Sequence, residues 1–315
     1  MKLSLVITIF NEENTLNQLL TAIEKQTITP TEIIITDGGS SDNSLKVLEK
    51  IQQEKFFKNK LKIFIKKGNR SLGRNWAIKQ TANELIAITD AGCIPQKNWL
   101  EKLVEKYQQT KSPVIAGYYY GLANNSFEQA VIPYVLVMPD KVNENNFLPA
   151  TRSMLITKKA WKKAGGFNET LNHNEDYAFA HQLVKNNIQI SFAKEAQVGW
   201  LPRTNLNSFI KMIYRFAYGD AEANLFRPKV ALIFIRYFLV FLLLFFIFLN
   251  YLFKFSLLLT NFSSIVLILL FFSYCLWAIK KNLKYVKIGW YWLPVLQITS
   301  DLAVITGTVS GLLVN

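Results

Sequence analysis

Up to about residue 229 the sequence alternates two patterns. Short apolar runs stop at polar or acidic residues, and longer stretches carry apolar positions at helical spacing. Strands are predicted over residues 3–10, 32–36, 61–65, 85–89 and 114–119, and helices over 14–26, 43–53, 74–82 and 96–108. In the first helix Leu16, Leu19, Leu20 and Ile23 share one face. This β-α-β-α order predicts a Rossmann-like α/β fold, a mostly parallel sheet with helices on both faces. After Gly121 the rhythm breaks. Residues 122–149 read as an irregular insertion with one helix near 126–137. A strand at 150–156, a short helix at 158–163 stopped by Gly165-Gly166, a helix at 175–186 and a strand at 189–193 follow. Residues 206–225 read as an amphipathic helix suited to a membrane surface.

From Val230 the pattern changes to near-continuous Leu, Ile, Phe and Val. Three stretches, about 232–253, 257–279 and 288–313, approach the roughly 20 apolar residues that a bilayer span requires. The third carries Pro294, Gln297 and Asp301. The expected organisation is therefore a soluble domain over 1–229 and a transmembrane region of about three helices over 230–315. The basic loop Lys280–Lys287 and the flanking Arg227, Lys229 and Arg236 place the large domain in the cytoplasm and the C-terminus outside. Residues 3–10 are too short for a signal-peptide core and run into Asn11-Glu12-Glu13. Asp301 is expected to pair with Ser300, Thr299 or Thr306 inside the helix packing, to mark a span that is really re-entrant, or to meet a polar acceptor within the membrane. Gly307 and Gly311 form a Gly-x-x-x-Gly face, expected to pack against the other two spans.

Composition narrows the partners. The formal charge is +14, and the two cysteines, Cys93 and Cys275, are far apart. Such spacing supplies neither a disulfide framework nor a zinc site and fits a reducing compartment. The basic residues are scattered, with no helix concentrating them, which argues against nucleic acid and for anionic membrane lipid. The acids are more telling. Asp37 and Asp90 each end a predicted strand, and Glu175-Asp176 opens a predicted helix. Carboxylates at strand ends lie where open α/β folds bind ligands. Three such acidic spots indicate a site for a metal and phosphates.

The strings Val6-Ile-Thr-Ile-Phe-Asn-Glu12 and Ile35-Thr-Asp-Gly-Gly-Ser-Ser-Asp42 resemble the start of family 2 glycosyltransferases. So do Gly73-Arg-Asn75, Thr89-Asp-Ala-Gly-Cys93, Gly165-Gly-Phe167 and Asn174-Glu-Asp176. The six occur in the family's order over about residues 3–220. The resemblance implies a GT-A domain that moves a sugar from a nucleotide diphosphate to a hydroxyl with inversion at the anomeric carbon. It implies that Thr8, Asn11, Glu12 and Asp37 line the nucleoside pocket and that Arg74, and less directly Asn75, meets the diphosphate. Asp90 would hold a divalent cation, Mg2+ or Mn2+, although Gly92 stands where the family's usual Asp-x-Asp has its second acid. Asp176, beside Glu175, would be the general base. Arg152, Arg203 and Arg215 lie in strings resembling late motifs of membrane-anchored members and are candidates for diphosphate or acceptor contacts. Taken alone, the same residues also suit helix starts, turns and surface positions.

The family's processive polysaccharide synthases carry Gln-x-x-Arg-Trp, which is absent here. Single-sugar transfer to a lipid or lipid-linked acceptor at the cytoplasmic face is the expectation. A nucleotide-sugar-binding scaffold subunit with weak catalysis, kept open by Gly92, and a processive synthase are the alternatives.

Overall fold

The apolar runs at the front of the chain become strands because they are buried on both faces. Val6, Ile34, Ile86 and Ile88 are all fully buried. The computed structural model describes residues 1–314. In chain order its elements are β1 (Leu3–Ile9), α1 (Leu16–Glu24), β2 (Glu32–Asp37), α2 (Ser44–Gln52), β3 (Leu61–Ile65), α3 (Arg70–Gln80), β4 (Leu85–Asp90), β5 (Cys93–Pro95), α4 (Trp99–Thr110), β6 (Val114–Gly121), α5 (Ser126–Val135), β7 (Met154–Thr157), α6 (Lys158–Lys163), α7 (Glu175–Lys185), β8 (Ile190–Trp200), α8 (Leu206–Glu222), α9 (Pro228–Phe253), α10 (Leu257–Asn282) and α11 (Trp292–Leu312).

The chain divides into two compact units: Met1–Leu122 with Leu136–Pro202, and Ala123–Val135 with everything from Arg203. The first is a GT-A-like α/β unit around one eight-stranded sheet, ordered β3-β2-β1-β4-β7-β6-β8-β5. Strands β3, β2, β1 and β4 are parallel, as the βα alternation predicts. Beyond β4 the sheet is mixed: β7 runs antiparallel to β4 and β6, and β5 antiparallel to β8. The register sets the ligand edge. Ile9 lies beside Asp37 and Thr8 beside Asp90, so both acids flank the carboxyl end of β1.

The second unit contains α5, α8, α9, α10 and α11. Helices α9, α10 and α11 are long and apolar enough to cross a membrane. Helix α8, upstream of the hydropathy boundary, belongs to this unit because it buries Phe209, Met212, Ile213, Ala217 and Ala221 and packs along α11. Two expectations for α11 change. Its glycines pack not on the other long helices but on α8: a methyl on Gly311 would meet the Tyr218 carbonyl oxygen at 2.5 Å and Ala221 Cβ at 2.8 Å. Asp301 pairs not with Ser300, Thr299 or Thr306 but with Gln297 Nε2 of its own helix at 2.9 Å, and beyond that helix with Tyr274 Oη and with Arg236 Nη2 at 3.6 Å. The hydroxyls of Thr299 and Thr306 bond to carbonyls of their own helix instead.

Candidate active site

Helix α3 starts at Arg70, one turn earlier than apolar spacing predicts, because Asn69 caps it: its Oδ1 accepts from Leu72 N at 3.0 Å. Arg74 therefore lies inside the helix rather than at its N-terminus. Gly73 lets this turn approach the sheet. A methyl there would meet Thr36 Oγ1 at 3.2 Å and Thr8 Cγ2 at 3.3 Å, and Thr36 Oγ1 donates to Gly73 O at 3.0 Å. The close approach delivers Arg74, 2% exposed, beneath the strand ends.

Arg74 joins two acids from distant parts of the chain. Nη2 bonds Asp90 Oδ1 at 2.9 Å and Nη1 bonds Glu175 Oε1 at 2.5 Å. The other Asp90 oxygen accepts from Thr151 Oγ1 at 3.2 Å. Burial pushes the Asp90 carboxyl up, but the guanidinium groups of Arg74, Arg70 and Arg152 outweigh it and hold the group below the usual carboxylate range. Glu175 follows the same logic: burial raises it, and Arg74 and Arg70 bring it down further. Asp176 is different. Burial and the neighbouring Glu175 charge push its carboxyl up, and the pull of Arg152 and Arg74 does not cancel them. Two adjacent carboxyls thus part in opposite directions, Glu175 held as an anion and Asp176 pushed toward its neutral form.

Arg152 sits in a tight turn before β7, which Thr89 Oγ1 holds by donating to Arg152 O at 2.8 Å. Its guanidinium lies 5.3 Å from the Tyr119 ring centroid and 5.8 Å from that of Trp200. Burial opposes its charge, but Tyr119, Asp176, Cys93 and Asp90 together raise its pKa. The thiol of Cys93 is pushed up by burial and by Asp90, which keeps it protonated.

At the end of β2, Asp37 Oδ1 accepts from Gly39 N at 2.8 Å, Ser40 N at 2.8 Å and Ser40 Oγ at 2.9 Å. Its Oδ2 is buried with no hydrogen-bond partner among the described residues, a polar atom left unsatisfied within the chain. Asn11, left-handed at φ 55°, braces the same loop: its N donates to Ser40 Oγ and its Oδ1 accepts from Ser41 N, both at 2.8 Å. Glu12 Oε2 accepts from Thr15 Oγ1 at 2.7 Å. Thr8 is half-buried at the strand end.

Arg74, Asp90, Glu175, Asp176 and Arg152 thus form one cluster, with Asp37 across β1 from Asp90. Asn75 faces elsewhere. Its Nδ2 donates to Phe167 O and Glu169 Oε1, both at 2.8 Å, and its Oδ1 accepts from Phe167 N at 2.9 Å and Trp161 Nε1 at 3.2 Å. Asn75 and the Gly165-Gly166-Phe167 loop, left-handed at both glycines, form a brace for the wall behind Arg74. Arg203 and Arg215 belong to the second unit, both on exposed positions. The sequence reading passed over Arg70, Thr151 and Tyr119. The Tyr118-Tyr119-Tyr120 run at the end of β6 was the available signal for the last.

Among the described residues no three His, Cys, Asp or Glu side chains gather as a metal site. Mg2+ and Mn2+ bound to nucleotides need only one or two carboxylates, phosphate and water supplying the rest. Asp90 offers one such carboxylate, and a methyl on Gly92 would meet nothing within 4 Å, so there is room beside it. The residues fit a cation held chiefly by a ligand's phosphates.

The family model for glycosyl transferase family 2 matches residues 4–167, more than half of the chain, and that for glycosyl transferase family group 2 matches 86–280. The chain belongs to glycosyltransferase family 2. It is 30% identical over 120 residues to glycosyltransferase GlyG of Streptococcus pneumoniae, covering 38% of this chain and 39% of that one. It spans more of an enzyme of Methanococcus voltae named as a dolichyl N-acetyl-alpha-D-glucosaminyl phosphate 3-beta-D-2,3-diacetamido-2,3-dideoxy-beta-D-glucuronosyltransferase: 25% identity, 71% of this chain and 74% of that protein. Among solved structures, S. aureus TarS with UDP superposes at TM-score 0.51 with 22% identity, over 69% of this chain and 64% of that one. A mannosyltransferase of Pyrobaculum calidifontis, solved with GDP-Man and Mn2+, superposes at 0.54 with 12% identity, over 70% and 62%. These structural likenesses show the fold.

Proposed function

We propose that the protein is a membrane-anchored inverting glycosyltransferase, moving one sugar from a nucleotide diphosphate to a hydroxyl of a lipid or lipid-linked acceptor on the cytoplasmic face. One observation carries this reading: Arg74 ties Asp90, at the end of β4, to Glu175, at the start of α7, and so holds the acid proposed for the donor side beside the Glu175-Asp176 pair. The unpartnered buried oxygen of Asp37, at the end of β2, supports nucleoside binding through the base or ribose. Arg70, exposed in the first turn of α3, and Arg152 are the cations suited to the diphosphate, because Arg74 is already committed to two carboxylates. Asp90 would hold the divalent cation, which when bound supplies charge neutralisation on the departing nucleotide.

Asp176 accepts the proton of the acceptor hydroxyl as its oxygen attacks the anomeric carbon from the face opposite the leaving group. Burial that disfavours its ionised form also makes it a better proton acceptor once ionised. The lipid acceptor is supported by the three long apolar helices, which hold the protein at the bilayer and raise local acceptor concentration, and by the lipid-linked substrate in the name of the Methanococcus voltae relative. Purified protein incubated with radiolabelled nucleotide sugars and a membrane lipid extract is expected to put label into the organic phase as single-sugar products, and to lose this activity in EDTA. Label transferred to soluble proteins alone would contradict the acceptor assignment, full activity after exhaustive EDTA the cation, and polymeric product the single transfer.

A further inference from the structure

Contacts within the second unit decide which of its long helices cross the bilayer. Residues 254–256 are the whole connection between α9 and α10, so the two are antiparallel neighbours. Arg236 on α9 and Tyr274 on α10 are equally far along the chain from that bend, and they meet, with the guanidinium 4.6 Å from the ring centroid. The start of α9 and the end of α10 are therefore on the same side.

Both ends of α11 are tied to that side. Its first half is held at the end of α10, where Lys281 Nζ donates to Gln297 Oε1 at 3.1 Å. Its last turn lies on the end of α8, where Gly311 closes on Tyr218 and Ala221. From there the chain makes a compact turn into α9. Leu225 N bonds to Asp220 O at 2.8 Å, and Arg227 donates to Asp220 from Nε at 2.5 Å and from Nη2 at 3.1 Å, immediately before Pro228 opens α9. A crossing α11 of 21 residues, about 30 Å long, would carry its last turn to the far side and take the end of α8 with it. Helix α8 exposes Asn207, Lys211 and Arg215 along one stripe, and each charge at the centre of a bilayer costs at least about 2.5–3.5 kcal/mol.

We infer that only α9 and α10 cross the bilayer, while α11, with α8 packed along it, lies in the membrane surface, so that the C-terminal end stays on the side from which α9 starts. The exposure pattern agrees. Helix α9 is exposed nearly all round, as a lipid-facing span should be, whereas α11 exposes one mostly apolar stripe of Val295, Leu302, Thr306, Val309 and Leu312. A single apolar stripe is the pattern of a helix half-sunk in the headgroup boundary. Asp301, 1% exposed on α11, then lies over the hairpin, where the long side chains of Arg236 and Tyr274 reach up to it from inside the spans. Hydropathy counts length and apolarity, and neither distinguishes a helix that crosses from one that lies flat. For this reason the sequence pointed to an external C-terminus.

The inference is independent of the sugar-transfer reading, and side-specific labelling tests it. Lys46→Cys, Lys254→Cys and Leu313→Cys would be made in the full chain and labelled with a membrane-impermeant maleimide in right-side-out and inverted vesicles, the unsubstituted chain giving the background of Cys93 and Cys275. Position 313 is expected to label from the same side as position 46 and from the side opposite position 254. Labelling of 313 together with 254 would overturn the inference. If lipid shields position 313, an epitope appended after Asn315 supplies the answer: protease removal from the side of position 46 supports two spans, and removal only from the side of position 254 overturns them.

Discussion

Asp176→Asn is expected to lower the rate of sugar transfer by about 10²–10⁴-fold while leaving nucleotide-sugar affinity nearly unchanged. The amide keeps the shape and one hydrogen-bonding oxygen but cannot take a proton from the attacking hydroxyl. The backbone contact it must preserve is modest, since Asp176 Oδ1 accepts from Tyr177 N at 2.8 Å, and an amide oxygen accepts equally. The wild-type pH profile carries the same signature. Because burial and the Glu175 charge raise the Asp176 pKa above the ordinary aspartate value, kcat falls as pH drops through that raised value, where the carboxyl holds its own proton. The Asn variant has no such limb. A near-wild-type rate in Asp176→Asn, or an unchanged acid limb in its residual activity, would remove Asp176 from the chemistry.

Arg74→Met is expected to be among the most destabilising single changes in the first unit. Removing one partner of a buried ion pair costs about 3–5 kcal/mol because the other charge is left without compensation. Here Glu175 is the stranded partner, its side chain 4% exposed, while Asp90, at 30%, keeps some access to water. Lysine should not rescue: Arg74 uses two nitrogens of a rigid fork toward two acids, and a single ammonium cannot hold both geometries. The melting temperature in detergent should drop on the order of 10 °C. The double variant Arg74→Met/Glu175→Leu should recover much of that loss, since an apolar pair of similar volume can replace a buried ion pair nearly without penalty. If the single variant melts like wild type, or the double variant melts no higher than the single, the three-residue tie is not what organises this wall.

The parallel half of the sheet was legible because its strands are buried on both faces and read as plain apolar runs stopping at Asp37 and Asp90. The same patterning placed the acid pair at the start of α7. What escaped was decided by contacts across the chain. Strand β5 has only three residues, too few for any periodicity, and exists because it pairs with the far end of β8. The antiparallel β7 reads like any other apolar run, since direction leaves no mark on composition. Arg74 read as a diphosphate ligand at a helix start because its partners, Glu175 and Asp90, could not be seen meeting it. Asn75 looked like a site residue by adjacency, although its side chain is spent on Phe167, Glu169 and Trp161. Helix α11 met the length test for a span, and only its packing on α8 reveals a different partner.

The most direct measurement is a thermal-shift panel of UDP-, GDP- and dTDP-sugars on wild type, Asp176→Asn and Asp37→Asn. Ligand at a hundred times its dissociation constant adds about 2.7 kcal/mol of stability, well above detection. Convergence of the strand-end acids on one pocket predicts that sugars of one nucleotide class stabilise wild type and Asp176→Asn alike and that Asp37→Asn loses most of the shift. No stabilisation by any nucleotide sugar, or a full shift in Asp37→Asn, would contradict it.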